Sequence, residues 1–568
     1  MRKHKYALIL AAMGWSPTLG CTPHDTNSSS SSSSSAGATA GGAGGSSDAG
    51  EANDANANDA GAAGAPATVG TVGGASSSEP STVGDTEENA ATNSTGGNTS
   101  SGGTSGNSLP IAEVGSSSNG DAGNSGTGGE AGAGGARTDS GPSSATGGTS
   151  GTSGASGTSS NQPSPLQGYT LYAYADTSGT NSHSELIDMN GNVVHTWNVG
   201  GIPVKMLPGG DLIGATGIFP GDYDLVKLSQ LSWTGEERWA YQNFAPMTDT
   251  SFAARQHHDF QREGNPVGYW APGQDFVDEG STVVLAHSFR SAPEIRADGL
   301  DDDVIYEVDH AGNLKGTVWR AADHVSEFGF DEAALADIST RSPGTALEWL
   351  HCNSASLVGP NHWFDEGHTE FAPNNIILSS RNANFVAIIE RESGKIVWRV
   401  GPDFAGHPEE KLGQFSGQHN PHLIPKGLPG AGNMIVFDNG GVSGFGGANN
   451  SYRYSRGWSR VLEFNPVTLD VVWQYGSASG PDNFYSSLIS NEQRLPNGNT
   501  VITIGVQGRV IEVAPDKEVV WQYNYTPGAD RGNAWLYRSY RIPPEWLPDG
   551  VNAAHGNYPL WRDLYPTQ

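Results

Sequence analysis

Histidine occurs in three short segments that occupy matching places in the pattern of strands predicted around them. The segments are His257-His258-Asp259-Phe260-Gln261, His351-Cys352-Asn353-Ser354 and Gln418-His419-Asn420-Pro421-His422. A single histidine at such a place is more often structural than chemical. Imidazole offers no packing advantage that would explain three of them, so we interpret the segments as parts of one functional cluster.

An arginine joins the cluster if the strands pair as predicted. Arg381, in Ser379-Ser380-Arg381-Asn382, follows the strand that should pair with the His351 segment. Imidazoles and a guanidinium suit either a transition metal or a tetrahedral oxyanion, which Arg grips with a planar fork. A neighbouring Arg would repel a cation, so the oxyanion is favoured, although Asp259 could serve as a metal ligand. We expect no metal and no organic cofactor.

The elements that must position these residues form an internal repeat. Each copy is an alternating strand, a turn with Gly, Asn or Asp, and a second strand that ends in Trp, which is the pattern of a β-hairpin. The copies are Glu185–Trp197, Leu225–Trp239, Val304–Trp319, Val386–Trp398, Val461–Trp473 and Val510–Trp521. Other hairpins with Gly-rich turns lie between them, and two hairpins make a four-stranded blade.

Six terminal Trp residues therefore predict an all-β fold, a six-bladed β-propeller. A pair of β-sandwiches and a seven-bladed ring are the alternatives. The strand before each Gly-turn hairpin should be innermost and line a central channel. The three histidine segments hold this place in three blades, and Ser490 holds it in a fourth.

The composition limits the partners and the size of the folded domain. The chain has 568 residues, 79 of them Gly, and a formal net charge of −30. Such a charge argues against nucleic acid as a partner, because phosphates would be repelled. Of the two cysteines, Cys352 lies in a strand-like segment, where we expect a small buried hydrophobe rather than half of a disulfide.

The amino-terminal part predicts export. Residues 1–21 combine a basic start, a short apolar run and a terminal Cys21, which is typical of a lipoprotein signal peptide. Ordinary cleavage and free secretion is the alternative. Residues 22–163 are rich in Ser, Gly, Ala and Thr and should form a disordered linker. The propeller then occupies 164–568. We expect a chain anchored by lipid at the bacterial outer membrane or cell surface, or else a periplasmic or secreted one.

Taken together and in order, several strings along about 170–545 resemble the bacterial arylsulfotransferase family. The strings are LIDMNGNVVHTW, HHDFQ, LHCNS followed by SSRN, GQHNPH, and VFDNGG followed by VVWQYG. The resemblance implies a six-bladed propeller. It also implies ping-pong transfer of a sulfuryl group from an aryl sulfate ester to a phenolic acceptor through a sulfated histidine. No nucleotide sulfate donor is implied, and both partners are small molecules.

Carried over by motif, the resemblance implies a role for each of four residues. His419 in GQHNPH would be the nucleophile, and His351 and Arg381 would bind the sulfuryl oxygens. His258, rather than its neighbour, would be the third channel histidine. One departure is the segment Gly359–Asn374, which looks like an added loop able to alter the channel mouth. A catalytically inactive, surface-displayed propeller that binds a ligand is the alternative function, and a quinone-dependent dehydrogenase is a weaker one.

Overall fold

The computed structural model describes residues 163–174, 183–219, 224–340, 348–445, 454–480, 484–527 and 535–566. The leader 1–21 and residues 22–162 of the predicted linker 22–163 lie outside the described residues, so those two predictions stay predictions. Within the described ranges, every helix is too short or too polar to span a bilayer.

The fold is all-β, with a propeller-like arrangement of small antiparallel sheets. Four separate sheets have four strands each. In sheet order they are β26 (Leu536–Ile542), β1 (Tyr169–Tyr174), β2 (His183–Ile187) and β3 (Val193–Trp197); β14 (Cys352–Leu357), β15 (Ile376–Ser380), β16 (Phe385–Ile389) and β17 (Ile396–Val400); β18 (His419–Leu423), β19 (Met434–Asp438), β20 (Arg460–Phe464) and β21 (Val471–Tyr475); and β22 (Asn491–Arg494), β23 (Thr500–Ile504), β24 (Arg509–Val513) and β25 (Val519–Asn524).

The remaining large sheet has eight strands. The structure therefore has four separate four-stranded sheets, whereas the sequence predicts six four-stranded blades. Its members are β4 (Gly200–Met206), β5 (Leu212–Ile218), β6 (Leu225–Leu231), β7 (Glu237–Tyr241), β10 (Gln256–Arg262), β11 (Thr282–Ala292), β12 (Arg296–Val308) and β13 (Leu314–Arg320). The cause is local: a single residue pair, Gln256 with Leu225, joins β10 to β6 and merges two four-stranded meanders. A two-stranded ribbon, β8 (Ala245–Pro246) with β9 (Phe252–Ala253), lies between them.

One strand of each meander lies innermost. The strands β4, β10, β14, β18, β22 and β26 contact one another in cyclic order, and β26 returns to β4. Strand β26, from the end of the chain, pairs with β1 and so closes the ring. Burial follows this order: β15 and β16 are fully buried, whereas β17 at the outer edge is half-exposed.

The repeated Trp residues join each meander to the next. The hairpins predicted from the repeat are confirmed as the outer pair of strands in each meander. Five of the six terminal indoles donate a hydrogen bond to a carbonyl in the outer turn of the following meander. The bonds run from Trp239 to His310, Trp319 to Gly394, Trp398 to Pro466, Trp473 to Pro515 and Trp521 to Met189, at 2.8–3.0 Å. Trp197 instead packs edge-on against Trp233.

Helices are few and short among the described residues. The α-helices are Glu332–Thr340, His362–Asp365, Val551–His555 and Trp561–Leu564. The 3-10 helices are Ala321–Glu327, Thr369–Phe371, Pro408–Leu412, Gly505–Gln507 and Pro544–Trp546. Cys352 is buried and carries a free thiol, as expected for a small core residue.

The segment Gly359–Asn374 corrects one expectation. It joins the end of β14 at Leu357 to the start of β15 at Ile376. His351 and Arg381 flank the opposite ends of these two strands, because antiparallel pairing places Cys352 beside Ser380. The added loop therefore lies at the far end of the sheet from the predicted site residues and does not shape the mouth beside them.

Candidate active site

The innermost strands carry a backbone distortion where they begin. His258, His351, Asn420 and Ser490 have left-handed φ angles of 56°, 50°, 55° and 94°. In β10, β14 and β18 a register shift lies at or next to the same place. A bulge of this kind redirects a side chain out of the regular alternation, and non-glycine residues adopt it at a cost of about 1–2 kcal/mol. The distortion is thus repeated around the ring, at His258 and His351, next to His419, and at Ser490 in the fourth sector.

The structure brings all four predicted residues together. The rings of His258 and His351 lie 4.5 Å apart, edge to face. The backbone N–H of Arg381 donates to the carbonyl of His351 at 3.1 Å. The charge of the half-buried Arg381 lies close enough to His419 to lower the pKa of that imidazole. Three sectors of the ring therefore converge on one space, since His351 and Arg381 flank two strands of the same sheet.

His419 is held as a neutral imidazole with a defined tautomer. Its Nδ1 faces two acceptors, the carbonyl of Gly417 at 2.9 Å and Oδ1 of Asn439 at 2.8 Å, so Nδ1 carries the proton. Its Nε2 faces the backbone N–H of Ile489 at 3.2 Å and therefore carries a lone pair. Burial first, and then the charge of Arg381, holds the pKa well below its usual range.

Asn439 fixes this arrangement from behind. Its amide Nδ2 donates to the carbonyls of Ser486 and Ile489 at 2.8 Å and 2.7 Å, which turns Oδ1 toward His419. The two carbonyl acceptors leave the amide only one satisfactory orientation. Asn439 is fully buried and follows β19 directly.

His351 has a carboxylate partner. Its Nδ1 lies 2.5 Å from Oε1 of Glu348, three residues earlier. A carboxylate at Nδ1 accepts the proton of that nitrogen and orients the ring, which leaves the lone pair on Nε2. Sequence reasoning did not single out Glu348, although a carboxylate three residues before a candidate histidine was visible.

Arg538 is a second guanidinium that sequence reasoning missed. It lies on β26, is 2% exposed, and donates to the carbonyl of Asn353 at 2.9 Å. Burial is the largest cause that lowers the pKa of His258 and of His419. Neighbouring imidazoles come next for His258 and Arg381 comes next for His419, and the charge of Arg538 lowers both pKa values further. No motif marks it, because β26 is distant in sequence and has an ordinary alternating strand pattern.

Asp259 is not available as a metal ligand. Lys205 and Arg538 donate to its two oxygens at 2.9 Å and 3.1 Å, and Ser354 adds a bond at 3.2 Å. Burial opposes its ionisation, but the charges of Arg538 and Lys205 outweigh burial and lower its pKa. The Asp259 carboxylate therefore forms salt bridges with two buried side chains, Lys205 and Arg538.

The residues around this space favour an anion. Arg381 and Arg538 supply positive charge, and the histidines His258 and His419 are neutral because burial and the cations lower each pKa. Imidazole and guanidinium N–H groups are donors that suit the oxygens of a tetrahedral anion. Ser490, the equivalent residue of the fourth sector, uses its hydroxyl within the protein, where it accepts from Gly505 at 3.0 Å and donates to Ser486 at 2.9 Å.

The fold and the site define an all-β, propeller-like protein with buried imidazoles and guanidinium groups gathered at the centre of the ring. Residues 274–531 match the family model Arylsulfotransferase (ASST). This stretch contains His351, Arg381 and His419, and over it the resemblance seen in the sequence motifs is confirmed. No curated protein matches the chain.

Several solved structures resemble the chain weakly. A protein of unknown function from Bacteroides caccae is 11% identical and covers 66% of this chain and 99% of its own, with a TM-score of 0.36. A 6-phosphogluconolactonase candidate from Bacteroides fragilis is 10% identical, with coverages of 66% and 97% and a TM-score of 0.31. The apo form of AztD from Citrobacter koseri is 9% identical, with coverages of 66% and 98% and a TM-score of 0.30.

Proposed function

We propose that the protein transfers a sulfuryl group from an aryl sulfate ester to a phenolic acceptor through a sulfated His419, without a nucleotide sulfate donor. The observation that carries this proposal is the state of His419: a buried, neutral imidazole with its proton fixed on Nδ1 and its lone pair on Nε2. A neutral nitrogen beside two guanidinium groups suits attack on an anionic ester. The family match supports the reaction class.

In the first half-reaction, Nε2 of His419 exchanges the hydrogen bond from the Ile489 N–H for the donor substrate and attacks its sulfur. A nitrogen–sulfur bond forms, the bond from sulfur to the aryl oxygen breaks, and the electron pair leaves with the phenolate. Phenolate is an adequate leaving group because the pKa of a phenol is near 10. Positive charge develops on the imidazole, and the Gly417 carbonyl and Asn439 Oδ1 stabilise it through Nδ1–H. Arg381 and His258 would donate to the sulfuryl oxygens, while His351 keeps its Nε2 lone pair for the second half-reaction.

In the second half-reaction, the acceptor oxygen attacks the sulfur and the bond to His419 breaks, which restores neutral imidazole. The acceptor must lose a proton, and His351 Nε2 is placed to take it, because Glu348 holds the other ring nitrogen. His351 then passes that proton to the departed phenolate or to water. Atoms and charges balance without an external oxidant or metal ion.

The test is an initial-rate study with 4-nitrophenyl sulfate and phenol. We expect parallel lines in double-reciprocal plots, and we expect His419→Asn to abolish transfer while unfolding remains cooperative. His407→Asn, which changes a histidine on a surface segment outside the site, is the matched control and should transfer at the wild-type rate. Near wild-type turnover in His419→Asn would refute the proposal, and a wild-type protein inert toward every aryl sulfate would favour a binding module.

Two finer features belong to this proposal. We propose that the eight-stranded sheet counts as two blades, so that the ring has six. Support comes from the cyclic contacts of the six innermost strands and from the single residue pair that merges the two meanders.

We also propose that the chain is exported and acylated at Cys21. Metabolic labelling with a fatty acid should mark the wild type and not Cys21→Ser, and equal labelling of both would refute it.

A further inference from the structure

A second cluster of titratable groups lies behind the site, on three neighbouring strands. His257 is on β10, His287 is on β11 and Asp303 is on β12, and one side-chain N or O atom of each lies within 4.8 Å of the others. Both imidazole Nε2 atoms are 3.7 Å from the same oxygen, Oδ1 of Asp303. The proposed transfer reaction uses none of these three residues.

The outer nitrogen of each ring is already bonded, which leaves Nε2 directed into the cluster. Nδ1 of His287 lies 2.7 Å from Oδ1 of Asp224, and Nδ1 of His257 lies 2.9 Å from Nδ1 of His258. Metal-binding histidines commonly have such a partner on the second nitrogen, because it fixes the tautomer and directs the lone pair to the ion.

Three buried atoms of the cluster have no hydrogen-bond partner within the described part of the chain. They are Nε2 of His257, Nε2 of His287 and Oδ2 of Asp303, whereas Oδ1 of Asp303 accepts from the backbone N–H of Cys352 at 2.8 Å and keeps a second lone pair. All three side chains are at most 4% exposed. Buried polar atoms are nearly always satisfied, so three orphaned atoms around one space indicate that something else satisfies them.

The local charge favours a cation. Asp303 is fully buried, and Oε1 of Glu348 lies 3.9 Å from His287 Nε2. The guanidinium of Arg255 is bonded to Asp224 and Asp301. Buried carboxylates this close to the two rings are stabilised by a positive charge between them, which a bound metal ion would supply.

We propose that His257 Nε2, His287 Nε2 and the Asp303 carboxylate bind one divalent transition-metal ion of the zinc class. Zinc bonds of about 2.0–2.2 Å place tetrahedral ligand atoms about 3.3–3.5 Å apart, so the 3.7 Å separations need only a small contraction. The two rings now lie nearly parallel, 3.7 Å apart with an angle of 11° between their planes, so one of them tilts on binding. This site departs from the expectation of no metal.

The ion would be structural. The site is enclosed, and the ion would fix the His257 ring with its proton on Nδ1, directed at His258. His258 would then carry its own proton on Nε2, as a donor for the site. The ion would hold a donor of the candidate active site in place without taking part in bond making.

The test is the zinc content of the full-length chain prepared without a polyhistidine tag. After exposure to zinc and exhaustive dialysis, we expect about one zinc ion per chain by plasma mass spectrometry, because enclosed sites of this kind release the ion slowly. Removal with a chelator should lower the Tm, and zinc but not magnesium should restore it. A chain that retains no zinc, or whose Tm ignores both treatments, would overturn the proposal.

Variants locate the ion. Asp303→Asn and His287→Gln should each reduce the zinc content to about a tenth or less, since each removes one of three ligands. His368→Gln is the matched control, because it removes a half-exposed histidine that also has a carboxylate neighbour, Glu370. Zinc kept in Asp303→Asn, or lost in the control, would overturn the assignment. Zinc content is independent of sulfuryl transfer, so this result and the transfer assay can fail separately.

Discussion

Replacing Arg381 with Met tests the electrostatic account of the site in two ways at once. Methionine keeps the chain packed over Gly417, beside which the Arg381 side chain lies. It removes the charge that would hold the sulfuryl oxygens. A hydrogen bond to a charged group contributes about 1.5–3 kcal/mol, and about 1.4 kcal/mol is a factor of ten in rate. Formation of the sulfated enzyme should therefore slow about 10- to 100-fold.

The same variant should change the pH dependence. Arg381 is the largest cause, after burial, that keeps the pKa of His419 low. Without it the pKa rises, so His419 becomes protonated, and loses its lone pair, at a higher pH than in the wild type. The acid limb of the rate profile should move toward neutral pH. Salt bridges to other groups are not disturbed, because Arg381 has only Asn382 as a side-chain partner among the described hydrogen bonds.

The assay is the first-turnover release of 4-nitrophenolate, quenched at alkaline pH and measured over a range of reaction pH. Arg391→Met is the matched control, since Arg391 lies at the far end of the same sheet and pairs with Glu307. The control should keep both rate and profile. An Arg381→Met enzyme with an unmoved acid limb and less than a threefold loss of rate would refute the reasoning.

Three further perturbations follow from the geometry. Glu348→Gln should slow the reaction of the sulfated enzyme with phenol about tenfold, because it removes the carboxylate that orients His351 as the base. The donor half-reaction should be unchanged, and single-turnover kinetics measure both half-reactions. Trp398→Phe should lower the free energy of unfolding, measured in urea, by about 1 kcal/mol, because it removes the hydrogen bond to the Pro466 carbonyl. An unchanged free energy of unfolding would contradict the role of the indole in joining neighbouring meanders. Burial lowers the pKa of His422 to about 4, so its neutral form contributes stability above pH 6.5 that is lost as pH falls toward 4. The loss amounts to about 3 kcal/mol, and His422→Phe should flatten that part of the urea stability profile.

The outer hairpins were predictable because three signals coincide in each: alternation, a turn residue and a terminal Trp. The Trp was visible as a repeat, but its purpose was not, because the indole bonds to a carbonyl some seventy residues away, as from Trp398 to Pro466. The ring closure was also hidden. Strand β26 pairs with β1, and nothing local in either strand specifies a partner at the other end of the chain.

The candidate site was predictable as far as residue types in matching segments allow. The histidines were predictable because they occupy equivalent positions in a repeated strand pattern. Arg538 was not, because it is defined by its contact with Asn353 in another sector. Asn439 was not, because its bond to His419 depends on how β18 and β19 pair and not on its neighbours in sequence. The Gly359–Asn374 loop was assigned to the wrong end of the sheet, since its length was visible and the direction of its hairpin was overlooked.

Adjacent histidines on one strand also face different surroundings, which separates His258 from His257. His258 contacts His351, whereas His257 stacks on His287 in the second cluster. The sequence motif contains both residues and distinguishes them only through the family resemblance. The left-handed φ of His258, within the register shift of β10, supplies the physical reason for the distinction.

The most direct measurement is mass spectrometry of the protein, quenched in alkali, after a brief pulse of aryl sulfate in the absence of acceptor. Fragmentation of the peptide that contains GQHNPH distinguishes His419 from His422, which bonds to Tyr269 at 2.8 Å through its own Nε2. We predict one sulfuryl group on His419, lost when phenol is added before quenching. A sulfuryl group on another residue, or release of phenolate with no modified histidine, would contradict the account.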